Sequence, residues 1–243
     1  MPTFATPEPI SVRLDVVGAV HLNASDRADT AVTVVPRNPR DSADVRAAEQ
    51  TRVDLSGDLL VIKMPRERTL RTLFRWGGRV EVTLDLPAGS RLHADAVAAF
   101  HSTGALGETR IRTGHGDIRL ARTGPAELST DHGSIDLDEA DGDLRLGTLH
   151  GDITVGRSRG EVDARTAHGA IRVGRAAASV AMDTTCGDLE VGIADGLAAW
   201  LDVRTLWGRV RNELTPAGGP PEEGGTVRVH AHSGTGDILI RRG

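Results

Sequence analysis

Apolar and polar residues alternate in short runs between residues 107 and 191, and a glycine precedes each run. These glycines recur every eight or nine residues, at Gly107, Gly116, Gly124, Gly133, Gly142, Gly151, Gly160 and Gly169. The second and fourth residues after each glycine are almost always apolar, as Ile153 and Val155 are. Two inward residues on either side of an outward one have the period of a β-strand. The pattern therefore predicts short strands joined by tight, glycine-containing turns.

A longer repeat lies over the first one. The motif Thr-x-His-Gly occupies residues 113–116, 130–133, 148–151 and 166–169, with its histidines 17, 18 and 18 residues apart. Cys186 and Trp207 hold the same phase further along the chain. One coil of two strands cannot bury its apolar residues alone, whereas stacked coils enclose a thin aliphatic core. The sequence thus predicts an all-β fold: a β-solenoid with coils of ~18 residues, each made of two short strands, and two parallel stacked sheets.

Outward charges support this stacking. Residues at the same phase of adjacent coils would lie ~4.8 Å apart, so opposite charges there attract and like charges repel. One such column reads Arg110, Glu127, Arg145, Asp163, and the other reads Arg119, Asp136, Thr154, Arg172, Glu190. Neither column places like charges side by side. We interpret the columns as ladders that fix the register rather than as a polar binding face.

The whole chain, residues 1–243, is expected to form a single β-solenoid domain. Residues 1–106 are irregular N-terminal coils and a cap, with strands predicted at residues 12–17, 30–35, 59–64 and 80–86. Residues 107–211 hold the regular repeats. Residues 212–243 combine a turn-rich excursion with a closing strand at residues 235–240.

Amino-acid composition limits the class of protein that this chain can be and the cellular compartment in which it is expected. A net charge of −5 with 26% charged residues indicates neither disorder nor a global nucleic-acid footprint. The single cysteine, Cys186, excludes a disulfide framework and suggests a reducing compartment. The first ten residues have no basic or apolar stretch of a secretory signal, and no segment has the length and apolarity of a membrane span. We therefore expect a cytoplasmic protein.

Several segments carry a family resemblance. They are Phe4-x-Thr6-Pro7-Glu8-Pro9-Ile10, the repeated Thr-x-x-Gly-Asp-Ile/Leu rungs, the stretch 196–202 and the terminal Gly236-Asp237-Ile238-x-Ile240. On these residues the chain resembles the bacterial putative-adhesin domain family, a group of β-strand-repeat proteins of unknown function. The resemblance spans nearly the whole chain. It implies a β-solenoid without an established catalytic activity.

The histidine column is the sharpest candidate for chemistry; its members are His115, His132, His150 and His168. Imidazoles on adjacent rungs could share Zn²⁺, with Asp117 or Asp152 as oxygen ligands. They could also respond to pH, because stacked rings cannot all become charged at low cost. Cys186 and Trp207 at the same phase favour a structural role. We expect no bound metal and no cofactor.

An acidic run carries two further hypotheses through Asp136, Asp138, Asp141 and Asp143. It departs from the spacing of an EF-hand and lacks the glycine pair of calcium β-rolls, so calcium binding is not expected. The same carboxylates support the alternative function, a carbohydrate-binding or carbohydrate-active β-helix. The chain shows no nucleophile elbow, phosphate loop or zinc-protease motif, and tight turns leave no room for a cleft. We expect a protein that is not an enzyme.

Residues 65–79 break the strand rhythm with five arginines, one glutamate and two aromatics. The candidate partner-binding residues are Arg66, Arg68, Arg71, Phe74, Arg75, Trp76 and Arg79. Arginine and aromatics suit a protein hot spot or a nucleic-acid backbone, while a covering loop would use the apolar residues to close one side of the solenoid. Nucleic acid is not favoured. We interpret the protein as a non-catalytic interaction or scaffold protein that presents this loop to an unidentified protein partner.

Overall fold

The computed structural model describes residues 2–65, 78–214 and 225–243, which contain 22 β-strands and one α-helix. The N-terminal part comprises β1 (Thr3–Ala5), β2 (Ser11–Asp15), β3 (Val17–Ser25), β4 (Asp29–Pro36), α1 (Ser42–Gln50), β5 (Arg52–Ser56), β6 (Leu59–Lys63), β7 (Val80–Pro87) and β8 (Arg91–Ala105). The regular repeats form β9 (Thr109–His115), β10 (Ile118–Thr123), β11 (Ala126–His132), β12 (Ile135–Ala140), β13 (Leu144–His150), β14 (Ile153–Ser158), β15 (Val162–His168), β16 (Ile171–Ala176), β17 (Val180–Cys186) and β18 (Leu189–Ile193). The C-terminal part forms β19 (Ala198–Trp207), β20 (Val210–Asn212), β21 (Thr226–Thr235) and β22 (Ile238–Arg242).

The predicted β-solenoid is confirmed. Even-numbered strands from β10 to β18 pair in parallel and form sheet A, whereas odd-numbered strands from β9 to β17 form sheet B. Each coil therefore contributes one strand to each sheet. The long strand β8 belongs to both sheets, because its first half pairs with β9 and its second half with β10.

Aliphatic side chains fill the space between the two sheets. In sheet A, Ile118, Ile135, Ile153 and Ile171 stack in register and are fully buried. Leu128 of sheet B is buried in the same core cluster. Full burial of one such side chain contributes about 1.5–3 kcal/mol. The alternation of apolar and polar residues therefore selects which face of every strand turns inward.

The Thr-x-His-Gly motif forms a corner of each coil. Thr166 is buried, and its Oγ1 donates a hydrogen bond to the carbonyl oxygen of Gly151 on the preceding coil at 3.1 Å. Gly169 has a φ of +152°, and a Cβ at this position would lie 2.0 Å from the same carbonyl oxygen. Neither a side chain nor an ordinary backbone conformation fits there. The close approach of neighbouring coils thus explains the threonine and the glycine of the motif.

The charge ladders have the register that the sequence predicts. Glu127 lies between Arg110 and Arg145, and Arg145 lies beside Asp163. Nη2 of Arg110 is 3.1 Å from Oε1 of Glu127. In sheet A the order from Arg119 to Glu190 is also observed. Opposite charges on adjacent coils therefore reinforce the pairing that the core residues establish.

The order of the coils in space differs from their order in sequence at both ends of the stack. Strand β3 lies between β7 and β8, and β2 lies between β6 and β8. At the other end, β21 lies between β17 and β19, while β22 lies between β18 and β20. The predicted closing strand at residues 235–240 is therefore inside the stack. The coil formed by β19 and β20, here called the terminal coil, lies at its end.

Helix α1 packs at the N-terminal end of the stack against β4 and β7. Asp41 caps the helix by accepting a hydrogen bond from the backbone N–H of Ala43 at 2.9 Å. Ala47 is buried against the core. The apolar pattern of the sequence does not predict this helix, because its few apolar residues are mostly alanines and give no clear helical period.

No helix within the described residues has the length and the apolar character needed to cross a membrane.

Candidate functional site

The four histidines of the predicted column lie side by side at the corner where β9, β11, β13 and β15 of sheet B end. Successive rings from His115 to His168 are stacked with centroids 4.9 Å apart. The neighbouring carboxylates are used elsewhere: Asp117 accepts a hydrogen bond from the N–H of Ser134, and Asp152 from that of Ala170. In the described part of the chain, this column does not bring three ligand atoms within 4.8 Å of one another.

The acidic run of residues 136–143 is engaged by arginines of adjacent coils. Oδ2 of Asp136 lies 3.4 Å from Nε of Arg119, and Oδ2 of Asp141 lies 2.7 Å from Nε of Arg122. The hydrogen bond from Arg122 is the main cause that holds the pKa of the Asp141 carboxyl below its ordinary value. Asp143 instead accepts a hydrogen bond from the N–H of Glu161. These contacts give three of the four carboxylates roles in holding coils together.

Most of the predicted partner loop lies outside the described residues. This holds for residues 66–77, and therefore for Arg66, Arg68, Arg71, Phe74, Arg75 and Trp76. Arg79 is described and exposed, and its backbone N–H donates to Oδ1 of Asp44 at 2.7 Å. Asp44 is itself buried in α1. The segment thus returns to the stack beside the N-terminal cap.

A groove of about 740 Å³ crosses the outer face of sheet B. Small residues such as Gly147, Ala167 and Gly234 line it, together with Leu149 and Leu206. Its lining within the described residues includes no Phe or Trp, which are the side chains on which sugar rings stack. The groove ends at the terminal coil.

The terminal coil exposes large apolar side chains. Trp200, Leu206, Trp207 and Val210 are 60%, 82%, 77% and 48% exposed. Strand β19 pairs with β21 on one side, and no strand of the described residues pairs with its other edge. Clustered exposed apolar side chains beside unpaired backbone groups are typical of an interaction site.

Two histidines and two aspartates meet near the end of the groove. His230 and His232 point to the outer face of β21, with ring centroids 3.7 Å apart. Asp183 of β17 lies opposite His232, and Asp202 of β19 lies opposite His230. Three strands that are distant in sequence therefore bring four ionisable side chains together.

The two aspartates face the histidines from opposite sides. Oδ1 of Asp183 is 4.0 Å from Nε2 of His230 and 3.9 Å from Nδ1 of His232. Oδ2 of Asp202 is 3.2 Å from Nδ1 of His230, and its Oδ1 is 3.7 Å from Nε2 of His232. Burial opposes ionisation of Asp202, but Arg204 and the two histidines more than offset this, so the pKa of the Asp202 carboxyl lies below its ordinary value.

Sequence reasoning missed this cluster. It recognised the return to the repeat only from Thr235 onward, although the alternation His230-x-His232 within residues 226–234 also indicates a strand. That alternation places both rings on one face. The repeat pattern does not indicate that β21 lies between β17 and β19, so it could not identify Asp183 and Asp202 as the neighbours of the two histidines.

Comparison with known proteins supports the fold. No protein-family model and no curated protein matches the chain. A crystal structure of a putative adhesin from Bacteroides fragilis is 13% identical, with a TM-score of 0.56, and the match covers 98% of this chain and 95% of that chain. A putative adhesin from Parabacteroides distasonis is 12% identical, with a TM-score of 0.39 and coverage of 98% and 95%. A putative lipid binding protein from the same species is 10% identical, with a TM-score of 0.34 and coverage of 100% and 95%.

The structural neighbours thus carry adhesin or binding names. At 13% identity, the Bacteroides structure is informative about architecture. The resemblance found in the sequence is confirmed at this level, and the chain has the fold of a solved protein described as a putative adhesin.

Proposed function

We propose that this protein is a non-catalytic scaffold that assembles in pairs through the free edge of β19. The observation that carries the proposal is the self-complementary order of side chains along that edge. A second copy of the chain is the partner. Burial of the exposed apolar residues of the terminal coil would stabilise the dimer. Hydrogen bonds between backbone groups of the two β19 strands would fix their relative orientation.

Among the described residues, no strand pairs with the outer edge of β19, so its backbone donors and acceptors could bind another strand. The N–H of Ala198 donates to the carbonyl oxygen of Gly225, which precedes β21. Because alternate residues of a strand direct their backbone groups to opposite sides, Leu201 and Val203 direct theirs to the free edge. An antiparallel strand centred on Val203 would satisfy these groups in both copies.

In this antiparallel pairing of two copies of β19, the side chains on the outer face of one strand are complementary to those of the other. With Val203 opposite Val203 of the second copy, Asp202 faces Arg204 and Trp200 faces Leu206. The twofold axis generates each pair twice. Cross-strand pairs of opposite charge or of large apolar side chains each contribute about 0.2–1 kcal/mol.

Pairing would also complete the core at this end. Leu201 and Val203 are half buried and pack against the core from the last coil. A second terminal coil would cover them, so the cores of the two copies would become continuous. An interface between identical copies of this kind is isologous, which is the commonest form of protein dimer.

The paired stack would place two predicted partner sites far apart. The segment 65–79 begins after β6 and ends before β7, which lie at the N-terminal end of the stack. The terminal coil lies at the opposite end. A dimer joined through terminal coils would therefore have residues 65 and 78, which bound the Arg-rich sequence, near each extremity, an arrangement that suits bivalent binding of a protein partner.

The experiment measures molar mass by light scattering coupled to size-exclusion chromatography. Wild type should be a dimer. Trp200→Lys and Leu206→Glu should each shift the protein toward monomer, since each places a charge opposite an apolar side chain of the second copy. The double variant should dimerise again, because the introduced ammonium of one copy then faces the introduced carboxylate of the other.

Leu149→Glu is the matched control. This leucine is 52% exposed on sheet B but lies away from the free edge, so its replacement should leave the dimer intact. A wild type that is monomeric at every concentration would refute the pairing. Dimeric single variants would show that another surface joins the copies, and failure of the double variant to recover would refute the register centred on Val203.

A further inference from the structure

We propose that Asp183, His230 and His232 form a binding site for one divalent transition-metal ion of the zinc class, with Asp202 as the carboxylate that orients both imidazoles. This inference stands on the outer face of sheet B and does not depend on dimerisation. Within residues 2–65, 78–214 and 225–243, no other group of three potential ligands is this close. The site is distinct from the exposed histidine stack.

One ligand atom from each of Asp183, His230 and His232 lies within 4.8 Å of the other two. Metal–ligand bonds of 2.0–2.2 Å place two ligands of one zinc ion ~3.4 Å apart. Oδ1 of Asp183 is 4.0 Å from Nε2 of His230 and 3.9 Å from Nδ1 of His232. These distances exceed hydrogen-bond lengths, so the carboxylate oxygen does not accept a proton from either ring. Side-chain rotations that shorten these two separations by about half an ångström would give the ligand spacing around one zinc ion.

The other nitrogen of each ring faces Asp202. Nδ1 of His230 lies 3.2 Å from Oδ2 of Asp202, within hydrogen-bond distance. Nε2 of His232 is buried and has no hydrogen-bond partner, and Oδ1 of Asp202 is the facing oxygen at 3.7 Å. Protons on these two nitrogens would leave both opposite nitrogens with lone pairs directed at Asp183. A carboxylate behind a ligating imidazole is the usual way in which a protein fixes the tautomer at a metal site.

Two carboxylates and two guanidinium groups surround the candidate ion. One carboxylate and two neutral imidazoles would leave a zinc ion with one net positive charge, which Asp202, itself paired with Arg204, would offset in part. Each carboxylate also has an arginine beside it: Nε of Arg165 is 3.8 Å from Oδ2 of Asp183, and Nε of Arg204 is 3.3 Å from Oδ1 of Asp202. This set differs from the all-oxygen sites that calcium and magnesium prefer. Three protein ligands also leave a fourth position, which water fills or which an anionic group in the adjacent groove would occupy.

Calorimetric titration of chelator-treated protein with zinc chloride tests the site. Wild type should bind one equivalent, and Co²⁺ should give the intense visible absorption of a tetrahedral complex. His230→Ala and His232→Ala should each weaken zinc binding at least 100-fold. Asp183→Asn should weaken it strongly, and Asp202→Asn should weaken it by roughly 10–100-fold, as removal of an orienting carboxylate does.

Two controls separate this site from other sources of affinity. His150→Ala removes one ring of the exposed stack and should leave zinc binding unchanged. Calcium and magnesium chloride should give no saturable heat. Absence of zinc binding to wild type would overturn the proposal, as would equal affinity in wild type and His232→Ala. Loss of binding in His150→Ala alone would assign zinc to the histidine stack. Circular dichroism of each variant checks that the coils remain folded. If a histidine variant unfolds, the Co²⁺ spectrum of Asp202→Asn still tests the site, because loss of the orienting carboxylate should change that spectrum.

Discussion

Thr235 pairs directly with Cys186, although Trp207 is the next residue of the same phase along the chain. Trp207 lies one strand further out, on the other side of Thr235. The last coil in sequence is therefore the penultimate coil in space. This arrangement holds the C-terminal strands between two others, where both of their edges are paired.

The interleaved order can be tested by cross-linking through the native cysteine. Thr235→Cys should form a disulfide with Cys186 under mild oxidation, since neighbouring residues of a parallel ladder lie ~4.8 Å apart and a disulfide spans Cα distances of 4.4–6.8 Å. Trp207→Cys should not, because two strand spacings separate it from Cys186. Non-reducing electrophoresis after proteolysis distinguishes the two variants. A disulfide in the Trp207→Cys variant alone would mean that the coils follow their sequence order.

Replacement of Ile153 tests the inward phase of the strands. Ile153 is fully buried between Ile135 and Ile171, so Ile153→Ala should lower the free energy of unfolding by about 2–5 kcal/mol through cavity formation. Thr154→Ala should have little effect, because Thr154 faces outward. Denaturant titration measures both variants. Equal sensitivity at the two positions would contradict the alternation on which the fold prediction depends.

Reversal of one ladder charge tests the outward phase. Arg145→Glu would place three carboxylates in a row with Glu127 and Asp163. Exposed ion pairs contribute only ~0.2–1 kcal/mol each, so the Tm should fall by a few degrees at low salt. The difference from wild type should shrink in high salt, where charges are screened. A decrease that is independent of salt would point to lost packing instead of charge repulsion.

Acid should weaken the ladder through Glu127. The hydrogen bond from Arg112 at 2.9 Å is the main cause that holds the pKa of Glu127 below its ordinary value, and Arg110 adds to it. A carboxyl with a lowered pKa in the folded state stabilises the fold above its unfolded pKa, and this contribution is lost as pH falls through the folded pKa.

Glu127→Gln should therefore lower the Tm at neutral pH. The Tm difference between wild type and this variant should diminish from about pH 4 downward, as Glu127 of wild type becomes protonated. Thermal melts at pH 7 and pH 3 measure it. A difference that grows on acidification would show that Glu127 is not stabilised as a carboxylate.

The regular coils could be predicted from the sequence because the residue patterns that determine them are local and recur in every coil. Apolar pairs such as Ile118 and Leu120 recur after each repeat glycine and identify which residues face inward. The opposite charges of Glu127 and Arg145, 18 residues apart, identify the length of one coil. Helix α1 was not accessible, since its stability comes from the packing of Ala47 and from the hydrogen bonds of Asp44 rather than from an apolar stripe.

The candidate metal site shows the same division at the level of chemistry. Residues 230–232 place two imidazoles on one face of a strand wherever that strand lies. Asp183 and Asp202 become their neighbours only because β21 inserts between β17 and β19. The histidine stack, by contrast, follows the repeat and was predicted with its members in order.

Sequence therefore determined the strand period, the coil length and the ladder register, because these depend on residues a fixed number of positions apart. Tertiary structure decided which coil lies beside which. Backbone hydrogen bonds in a parallel ladder are the same for any neighbouring strand of matching phase, so they do not depend on the order of the strands along the chain. The free edge of β19 and the Asp183–His230–His232 cluster both result from that choice.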